Sequence, residues 1–146
     1  GEVVADPSSL GSSSVSLSIR AGSLAVQAEG ESAEDIPKVQ ARMEGSELLD
    51  VMRFPEIRFE SASVLGRGQG QASLELLVSG DLSLHGVKRR LAFPVRVEVE
   101  SGTLTATGRT VLRQTAFGLT PVSVGGVVKV KDEVIVEYKF VGTSTP

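Results

Sequence analysis

The sequence contains very few side chains that could support catalysis or bind a metal. It has a single histidine, His85, and no cysteine, which excludes thiolate metal sites and disulfide bonds. A histidine-rich metal site is excluded as well, and a Ser-His-Asp type of triad would depend on His85 alone. His85 lies in LSLHGVK, a segment typical of a hairpin turn, so we expect a surface or turn-packing role rather than a role in catalysis.

The charged residues suggest two further kinds of site. Glu31, Glu34 and Asp35 stand at the start of a predicted helix, where the helix dipole favours solvated acidic side chains. Arg109 and Arg113 lie four residues apart on one predicted strand and share a face, which is either solvated or able to bind an acidic head group. A hydrolase that uses two carboxylates stays open too, because such a pair can meet in space without any signature in sequence.

Nothing in the composition indicates a nucleotide or nucleic acid as partner. The formal net charge is −3, and the Lys and Arg residues are scattered rather than gathered into a basic patch. The segment GRGQG (66–70) lacks the Lys-Ser/Thr ending of a phosphate-binding loop and joins two predicted strands. We interpret it as a flexible turn.

Length and hydrophobicity predict one domain over residues 1–146. Hydrophobic residues make up 40% of the 146 residues but aromatic residues only 4%, so the core must consist mainly of Val, Leu and Ala. No apolar run approaches the roughly 20 residues that a membrane span needs. The chain also opens without a recognisable signal peptide.

Most of the chain alternates apolar and polar residues with the period of a β-strand. The clearest segments are SVSLSIR, VKRRLAFPVRVEVE, GTLTATGRTVLRQ and DEVIVEYKFVG, and SLAVQAEG follows Gly22 with the same pattern. Short turns between them predict antiparallel pairing, and therefore an all-β meander. Gly80 inside one strand predicts a bulge or sharp bend, and Pro94 inside another predicts a bulge, an edge or a gap in pairing; both features are typical of a strongly coiled sheet.

One region, around residues 33–52, has helical rather than strand periodicity. Ser32 or Asp35 can cap its start, Pro37 fits the first turn, and Gly45 ends the helix. A second short turn with apolar Leu48, Leu49 and Met52 follows. We interpret the region as a helical lid, which either packs permanently on the end of a barrel or opens to admit a ligand.

The segment MRFPEIRFES (52–61) predicts the joint between this lid and the sheet. Pro55 forces Phe54 into extended geometry, so that the chain leaves the helical region and begins a strand at Ile57 and Phe59. We expect Met52 and Phe54 to end and seat the lid, and Phe59 to turn inward.

The predicted inward faces carry mid-sized residues, which leave open whether the interior is filled. An eight-stranded barrel is either just filled by its side chains or has room for one small ligand. An unfilled apolar interior would gain roughly 0.8 kcal/mol for each CH₂ group of an apolar guest. A well-packed core without a ligand is the alternative.

Four motifs in this order resemble the YceI-like family of bacterial proteins: MEGSELLDVMRFPEIRFESASV, VSGDLSLHGVKRRLAFPVRVEV, LRQTAFGLTPVSVGG and VVKVKDEVIVEY. The resemblance covers about residues 36–141 and, more weakly, residues 1–30. It implies a lipocalin-like eight-stranded antiparallel barrel with a helical lid, no catalytic residues, and a polyisoprenoid or related long lipid as ligand. Family members are often periplasmic or secreted. They usually begin with one or two further strands. We therefore expect an incomplete barrel with an open edge, a partner chain that fills the gap as a dimer or by strand exchange, or a rearranged sheet.

Together these observations predict a non-enzymatic protein that binds, transports or sequesters a long apolar lipid, without cofactor or metal. A structural or stress-related interaction module with a filled core is the alternative. The residues expected to line the ligand site lie on apolar strand faces, apart from one in the AFG turn: Leu17, Ile19, Phe59, Leu91, Phe93, Val95, Phe117, Val136 and Tyr138. A shift of one residue in any strand would invert its inward face.

Overall fold

The computed structural model describes residues 1–6, 8–26, 32–69, 73–121 and 132–143, and its main element is one antiparallel sheet. Seven strands pair in chain order: β1 (Glu2–Val4), β2 (Ser14–Arg20), β3 (Glu56–Gln69), β4 (Leu74–Leu84), β5 (Val87–Glu100), β6 (Thr103–Arg113) and β7 (Glu133–Thr143). Tight turns with positive φ at both residues, His85–Gly86 and Ser101–Gly102, join β4 to β5 and β5 to β6. The predicted all-β meander is confirmed.

The sheet curls into a half-barrel rather than a closed barrel. Within the part of the chain that the structure describes, β1 and β7 are the two edges and do not pair with each other. The expected incomplete barrel is therefore confirmed, with seven described strands where the family resemblance implies eight.

Gly80 lies where β3 and β4 coil most tightly. The register passes from Ser61↔Gly80 to Ser63↔Ser79, so β3 bulges by one residue opposite this glycine. A Cβ atom at Gly80 would overlap the carbonyl oxygen of Glu60 and would lie 2.7 Å from Cζ of Phe59. The bulge that the sequence indicates is thus on the strand facing Gly80, and the glycine is what allows the close approach.

Pro94 marks the place where β5 and β6 separate. Pairs between these strands run from Glu100↔Thr103 only as far as Arg96↔Thr107, while β6 continues to pair with β7 up to Arg113↔Glu133. Pro94 lies just beyond the part of β5 that pairs with β6. No hydrogen bond between these two strands therefore needs the N–H group that proline lacks. The structure thus contains the gap in pairing that this proline predicts.

The predicted lid contains the helix α1 (Ile36–Glu44), with Asp35 at its N-cap and Pro37 in its first turn. The N–H of Gly45 bonds to the carbonyls of Ala41 and Arg42 and ends the helix at the predicted glycine. A turn over residues 46–53 follows and returns the chain to the sheet. The helical lid around residues 33–52 is confirmed.

The segment after Gly22 does not form the strand that its alternation predicts. Ala21–Ser23 is a 3₁₀ turn, and Leu24–Val26 has no regular structure. The side chain of Gln40 on α1 accepts a hydrogen bond from the N–H of Val26 and donates one to the carbonyl of Leu24. The side chain of Gln40 thus makes hydrogen bonds to this segment that the backbone of a neighbouring strand would make in a sheet.

The joint between lid and sheet follows the prediction except at Met52. β3 begins directly after Pro55, Phe54 is half-buried, and Phe59 is buried. Met52, however, is 90% exposed, so the expectation that it packs at the end of the lid is wrong. It lies in a tight turn closed by bonds from the N–H groups of Arg53 and Phe54 to the carbonyl of Asp50, and this turn directs residue 52 into solvent.

The buried core lies between β3, β4 and the chain that follows β6. Its members are apolar side chains at most 9% exposed: Phe59, Val64, Val78, Leu82, Phe117 and Leu119. Leu91 and other half-buried residues of β5 pack against this cluster. The core thus occupies one wall of the half-barrel and leaves much of the interior to the cavity.

Some sequence-based expectations lie outside the described residues: Glu31, the Gly70 end of the GRGQG turn, residues 27–30 of SLAVQAEG, and residues 122–131 of two family motifs. Residues 66–69 of GRGQG belong to β3 itself. No helix in the part of the chain that is described is long and apolar enough to cross a membrane.

Candidate ligand-binding cavity

The concave side of the half-barrel encloses a cavity of about 840 Å³. Its middle is lined by apolar side chains that alternate along the strands and point to the same side of the sheet. These include Val15, Leu17, Phe59, Val78, Phe93, Val95, Val97, Leu104, Ala106, Val136 and Phe140. The period-two pattern of the sequence therefore builds one continuous hydrocarbon surface.

Apart from the hydroxyl of Tyr138, the polar side chains that line the cavity lie towards its two ends. At the end next to α1, the wall contains Arg113 and Gln114 beside the apolar Met43, Leu48 and Leu49. At the opposite end, polar groups are contributed by the chain around β1 and by the start of β4, namely Asp6, Ser13, Ser14 and Ser73. The distribution is that of a long apolar channel with polar mouths.

Eight of the nine residues predicted to line a ligand site lie in the cavity wall: Leu17, Ile19, Phe59, Phe93, Val95, Phe117, Val136 and Tyr138. Leu91 is not among the described residues that line it and packs against the buried cluster instead. Its partner on β4 is Gly80, over which the ring of Phe59 extends. Contact of any of these residues with a ligand stays a prediction.

Three aromatic rings form a row across the cavity wall, from β3 through β5 to β7. Phe59 contacts Phe93 edge to face with ring centroids 5.1 Å apart, and Phe93 contacts Tyr138 in the same way at 5.9 Å. Each contact of this kind contributes about 0.5–1.5 kcal/mol beyond the burial of its area. The row ties together strands that are not neighbours in the sheet.

Two glycines make this aromatic row possible. The ring of Phe59 lies over Gly80, and the ring of Tyr138 lies over Gly108, where an added Cβ atom would overlap it. The hydroxyl of Tyr138 donates a hydrogen bond of 2.5 Å to the carbonyl oxygen of Pro94. Tyr138 thereby bridges the gap between β5 and β6, and burial raises the pKa of its phenol.

The 3₁₀ turn Gln114–Phe117 covers part of the end of the cavity near α1. Phe117 is 1% exposed, and its carbonyl oxygen lies 3.3 Å from Nδ1 of His85. Nε of Arg89 donates to the carbonyl of Ala116 at 3.0 Å. Side chains from the β4–β5 hairpin thus hold Phe117 in place through its backbone.

His85 occupies the packing position that its turn predicts. Its ring contacts Phe54 edge to face at 4.8 Å, and Phe54 also lies against Gly86. His85 therefore links the joint below the lid to the Phe117 turn. This arrangement gives the histidine a structural task, at the same end of the barrel as the lid.

The charged residues singled out by the sequence form local surface pairs. Arg109 lies 3.8 Å from Glu137 and Arg113 3.5 Å from Glu133, and all four side chains are more than half exposed. Asp35 accepts hydrogen bonds from Ser32 and Lys38, which hold the pKa of its carboxyl below its usual range. Among the described residues, no group of three or more His, Asp or Glu side chains could hold a metal ion.

Comparisons with known proteins agree with this architecture. A YceI-like domain matches residues 1–141. The structure of BcnA from Burkholderia cenocepacia is similar, with 21% sequence identity and a TM-score of 0.80, over 97% of this chain and 82% of BcnA. The YCEI protein of Campylobacter jejuni is 11% identical with a TM-score of 0.72, over 99% of this chain and 80% of that protein.

At these identities the two structures show a shared fold and no more. No match was found among curated proteins. The family match, in contrast, spans nearly the whole chain and is carried by the sequence itself. The chain therefore belongs to the YceI-like family, whose barrel is a binding-protein fold.

Proposed function

We propose that this protein binds a long apolar lipid, such as a polyisoprenoid, in the cavity of its half-barrel, and that it acts as a carrier or sequestering protein rather than as an enzyme. The observation that carries the proposal is the distribution of side chains in the cavity of about 840 Å³. Hydrocarbon groups line its middle, and the polar groups lie at its ends, apart from the hydroxyl of Tyr138, which is bonded to Pro94. Such a channel complements a chain molecule whose polar group, if it has one, stays near a mouth.

An apolar guest in the cavity gains contacts with the hydrocarbon side chains that line it. Side chains that line a void lack contacts on one side, and an apolar guest restores them. Each CH₂ group moved out of water contributes about 0.8 kcal/mol, so ten buried groups contribute on the order of 8 kcal/mol before the cost of ordering the chain. A guest of this kind needs no directional bonds from the protein.

The charges favour a neutral or weakly polar lipid over a fatty acid. Arg113 is the cation at the mouth near α1, and Glu133 lies 3.5 Å from it. An anionic head group would have to compete with this carboxylate. The hydroxyl of Tyr138, the polar group nearest the middle of the cavity, already donates to Pro94.

Lipid extraction tests the proposal most directly. Purified protein is extracted with organic solvent, and mass spectrometry of the extract is expected to show a long-chain lipid in stoichiometric amount. Protein stripped of lipid should take up a fluorescent acyl or prenyl probe, and added polyisoprenoid should displace it more effectively than a fatty acid of similar length.

Two variants at neighbouring positions on β6 test whether the lipid binds in this cavity. Ala106 lines the cavity, so Ala106→Phe fills the space that the lipid would occupy and should abolish probe uptake. Thr105 is opposite Val141 on the other face of the sheet, and Thr105→Phe is the matched control that should leave uptake unchanged. Absence of lipid from every preparation, together with no uptake by the wild type, would instead favour the structural module with a filled core.

A further inference from the structure

The turn that joins α1 to β3 presents an apolar side chain to solvent. Met52 is 90% exposed, more than any other large apolar residue of the described chain, and the next most exposed is Val99 at 67%. A long apolar side chain that stays in water forgoes the free energy that its burial would contribute. The position of Met52 therefore needs a structural reason.

Backbone hydrogen bonds fix the turn that holds Met52 outward. The N–H groups of Arg53 and Phe54 donate to the carbonyl of Asp50 at 3.0 and 2.8 Å, and the N–H of Asp50 donates to the carbonyl of Gly45 at 2.8 Å. Asp50 is 8% exposed and has a left-handed backbone with a φ of 45°, which residues other than glycine adopt only at a cost. Met52 is thus exposed because a defined turn directs it into solvent.

Met52 lies at the end of the barrel where the cavity opens beside α1. Leu48 and Leu49, which belong to the same turn, line the cavity. Leu24 also lines it, is 37% exposed, and is tied to α1 by a hydrogen bond from Gln40 to its carbonyl. An exposed apolar side chain and a partly exposed apolar rim thus share this end of the molecule.

Charged side chains surround Met52. Arg53 follows it directly, has a side chain that is 76% exposed, and places its guanidinium 5.3 Å from the centre of the Phe54 ring. Arg42 is exposed on the last turn of α1 and has no ion-pair partner among the described residues. The exposed carboxylate of Glu47 offsets part of this positive charge. We call Met52 and Arg53 the tip; it combines one apolar side chain with one cation.

The size of the tip favours a lipid bilayer over a protein as its partner. A specific protein–protein interface buries at least about 1,000 Å² of surface, far more than one side chain supplies. A fluid bilayer needs no complementary surface, because an apolar side chain enters the acyl region while an arginine stays at the level of the head-group phosphates. At the opposite end of the barrel, the exposed carboxylates of β4 and β5 (Glu75, Glu98 and Glu100) would be repelled by anionic lipids.

We propose that the tip inserts into the surface of a bilayer that contains anionic lipids, so that the mouth of the cavity beside α1 faces the membrane. The purpose of this docking rests on the proposed lipid-binding function, since a long apolar lipid is taken from or delivered to a bilayer. Insertion itself does not require a bound lipid, because Met52 is not among the described residues that line the cavity. A single apolar side chain gives weak and reversible attachment, which lets a carrier leave the membrane again.

A tryptophan in place of Met52 tests insertion directly, because the chain has no tryptophan of its own. When Met52→Trp is mixed with vesicles of phosphatidylcholine and phosphatidylglycerol, its fluorescence should shift to shorter wavelength and be quenched by brominated acyl chains. The matched control is Val141→Trp, since Val141 is 62% exposed, lies near the opposite end of the barrel, and is not among the described residues that line the cavity. Its emission should stay unchanged, and equal shifts in both variants would mean unspecific adsorption and overturn the proposal.

The variant Met52→Glu tests the contribution of the tip to membrane binding. Its apparent dissociation constant in sedimentation with the same vesicles should rise about tenfold or more, because a carboxylate replaces the apolar side chain that enters the bilayer. Uptake of a fluorescent lipid probe from vesicles should slow by a similar factor. The affinity for a probe added from solution should equal that of the wild type, because position 52 is outside the described cavity wall.

The docking and the lipid-binding function fail in different ways in these experiments. A wild type that binds the soluble probe, together with a Met52→Trp variant whose emission vesicles do not change, refutes the docking and leaves lipid binding intact. A wild type that binds no probe, together with insertion of Met52→Trp, supports the docking and refutes the carrier function. Vesicle binding that Met52→Glu does not weaken uses another surface and also refutes the docking.

Discussion

Phe117 packs at one end of the cavity, and truncating it should show whether this packed end helps to retain a bound lipid. Its side chain is 1% exposed and belongs to the buried cluster of Phe59, Leu82 and Leu119. His85 holds the backbone of Phe117 through its carbonyl oxygen, a contact that the substitution Phe117→Ala leaves in place. The variant therefore removes the ring without removing the turn that positions it.

The expected cost of Phe117→Ala is about 3–5 kcal/mol of unfolding free energy, because a fully enclosed ring leaves a cavity that the neighbours fill only in part. For a chain of 146 residues this corresponds to a fall in Tm of roughly 10 °C or more. Urea denaturation followed by circular dichroism measures the free energy, and calorimetry measures Tm. Since Phe117 also lines the cavity, we expect a bound fluorescent lipid probe to dissociate faster from the variant.

Phe54→Ala provides the matched control. Phe54 is half-buried against His85 at the same end of the molecule, and it is not among the described residues that line the cavity. We expect this variant to lose about 1–2 kcal/mol and to retain the probe like the wild type. A Phe117→Ala variant that loses less than about 1 kcal/mol would refute the assignment of Phe117 to a packed plug. Equal loss of probe in both variants would mean that retention follows global stability rather than packing at this end.

Three further predictions concern Gly80, Tyr138 and Asp132. Gly80→Ala should destabilise the protein by more than about 2 kcal/mol in urea denaturation, because its Cβ would overlap the backbone carbonyl of Glu60; a neutral effect would mean that the strands are less tightly coiled. Tyr138 is the only tyrosine, so an absorbance titration measures its phenol alone, and we expect a pKa above 10.0. The contribution of this group to the free energy of unfolding should be present below pH 10.0 and be lost as pH rises above it. Added lipid should raise the pKa further. Asp132 accepts bonds from the N–H and hydroxyl of Thr115, chiefly the hydroxyl, which lower its pKa below 3.8. Asp132→Asn should therefore be less stable than the wild type near pH 7, and the difference should vanish as pH falls below 3.8, whereas a constant difference would contradict the linkage.

The strands and their inward faces were predictable because a strand has one simple period. Leu17, Phe93 and Val136 were assigned to the concave side from alternation alone, and each lies there. Pro55 and Gly45 likewise indicated where the lid ends, since each acts on its own backbone. Local geometry of this kind depends on residues that are close together in the sequence.

The errors arose where a distant side chain changed the local outcome. Leu24–Val26 has the alternation of a strand, but the side chain of Gln40 on α1 makes hydrogen bonds to its backbone. The preceding residues, Ala21–Ser23, form a 3₁₀ turn. Leu91 packs against the buried cluster, where the ring of Phe59 lies over Gly80, its partner on β4. No pattern within these segments shows which remote side chain will be near them.

The sequence by itself determined the fold class, the helical lid, the family and the apolar face of most strands, because these follow from periodicity and from residues with restricted backbone geometry. Only the tertiary structure decided that β1 and β7, the edges of the described sheet, do not pair with each other, that Tyr138 bridges the gap beside Pro94, and that Phe117 packs at one end of the cavity. These features depend on contacts between residues up to 44 positions apart in the chain, and such contacts exist only after the sheet has coiled. The volume of the cavity is decided in the same way, since it is the space that the coiled strands leave between them.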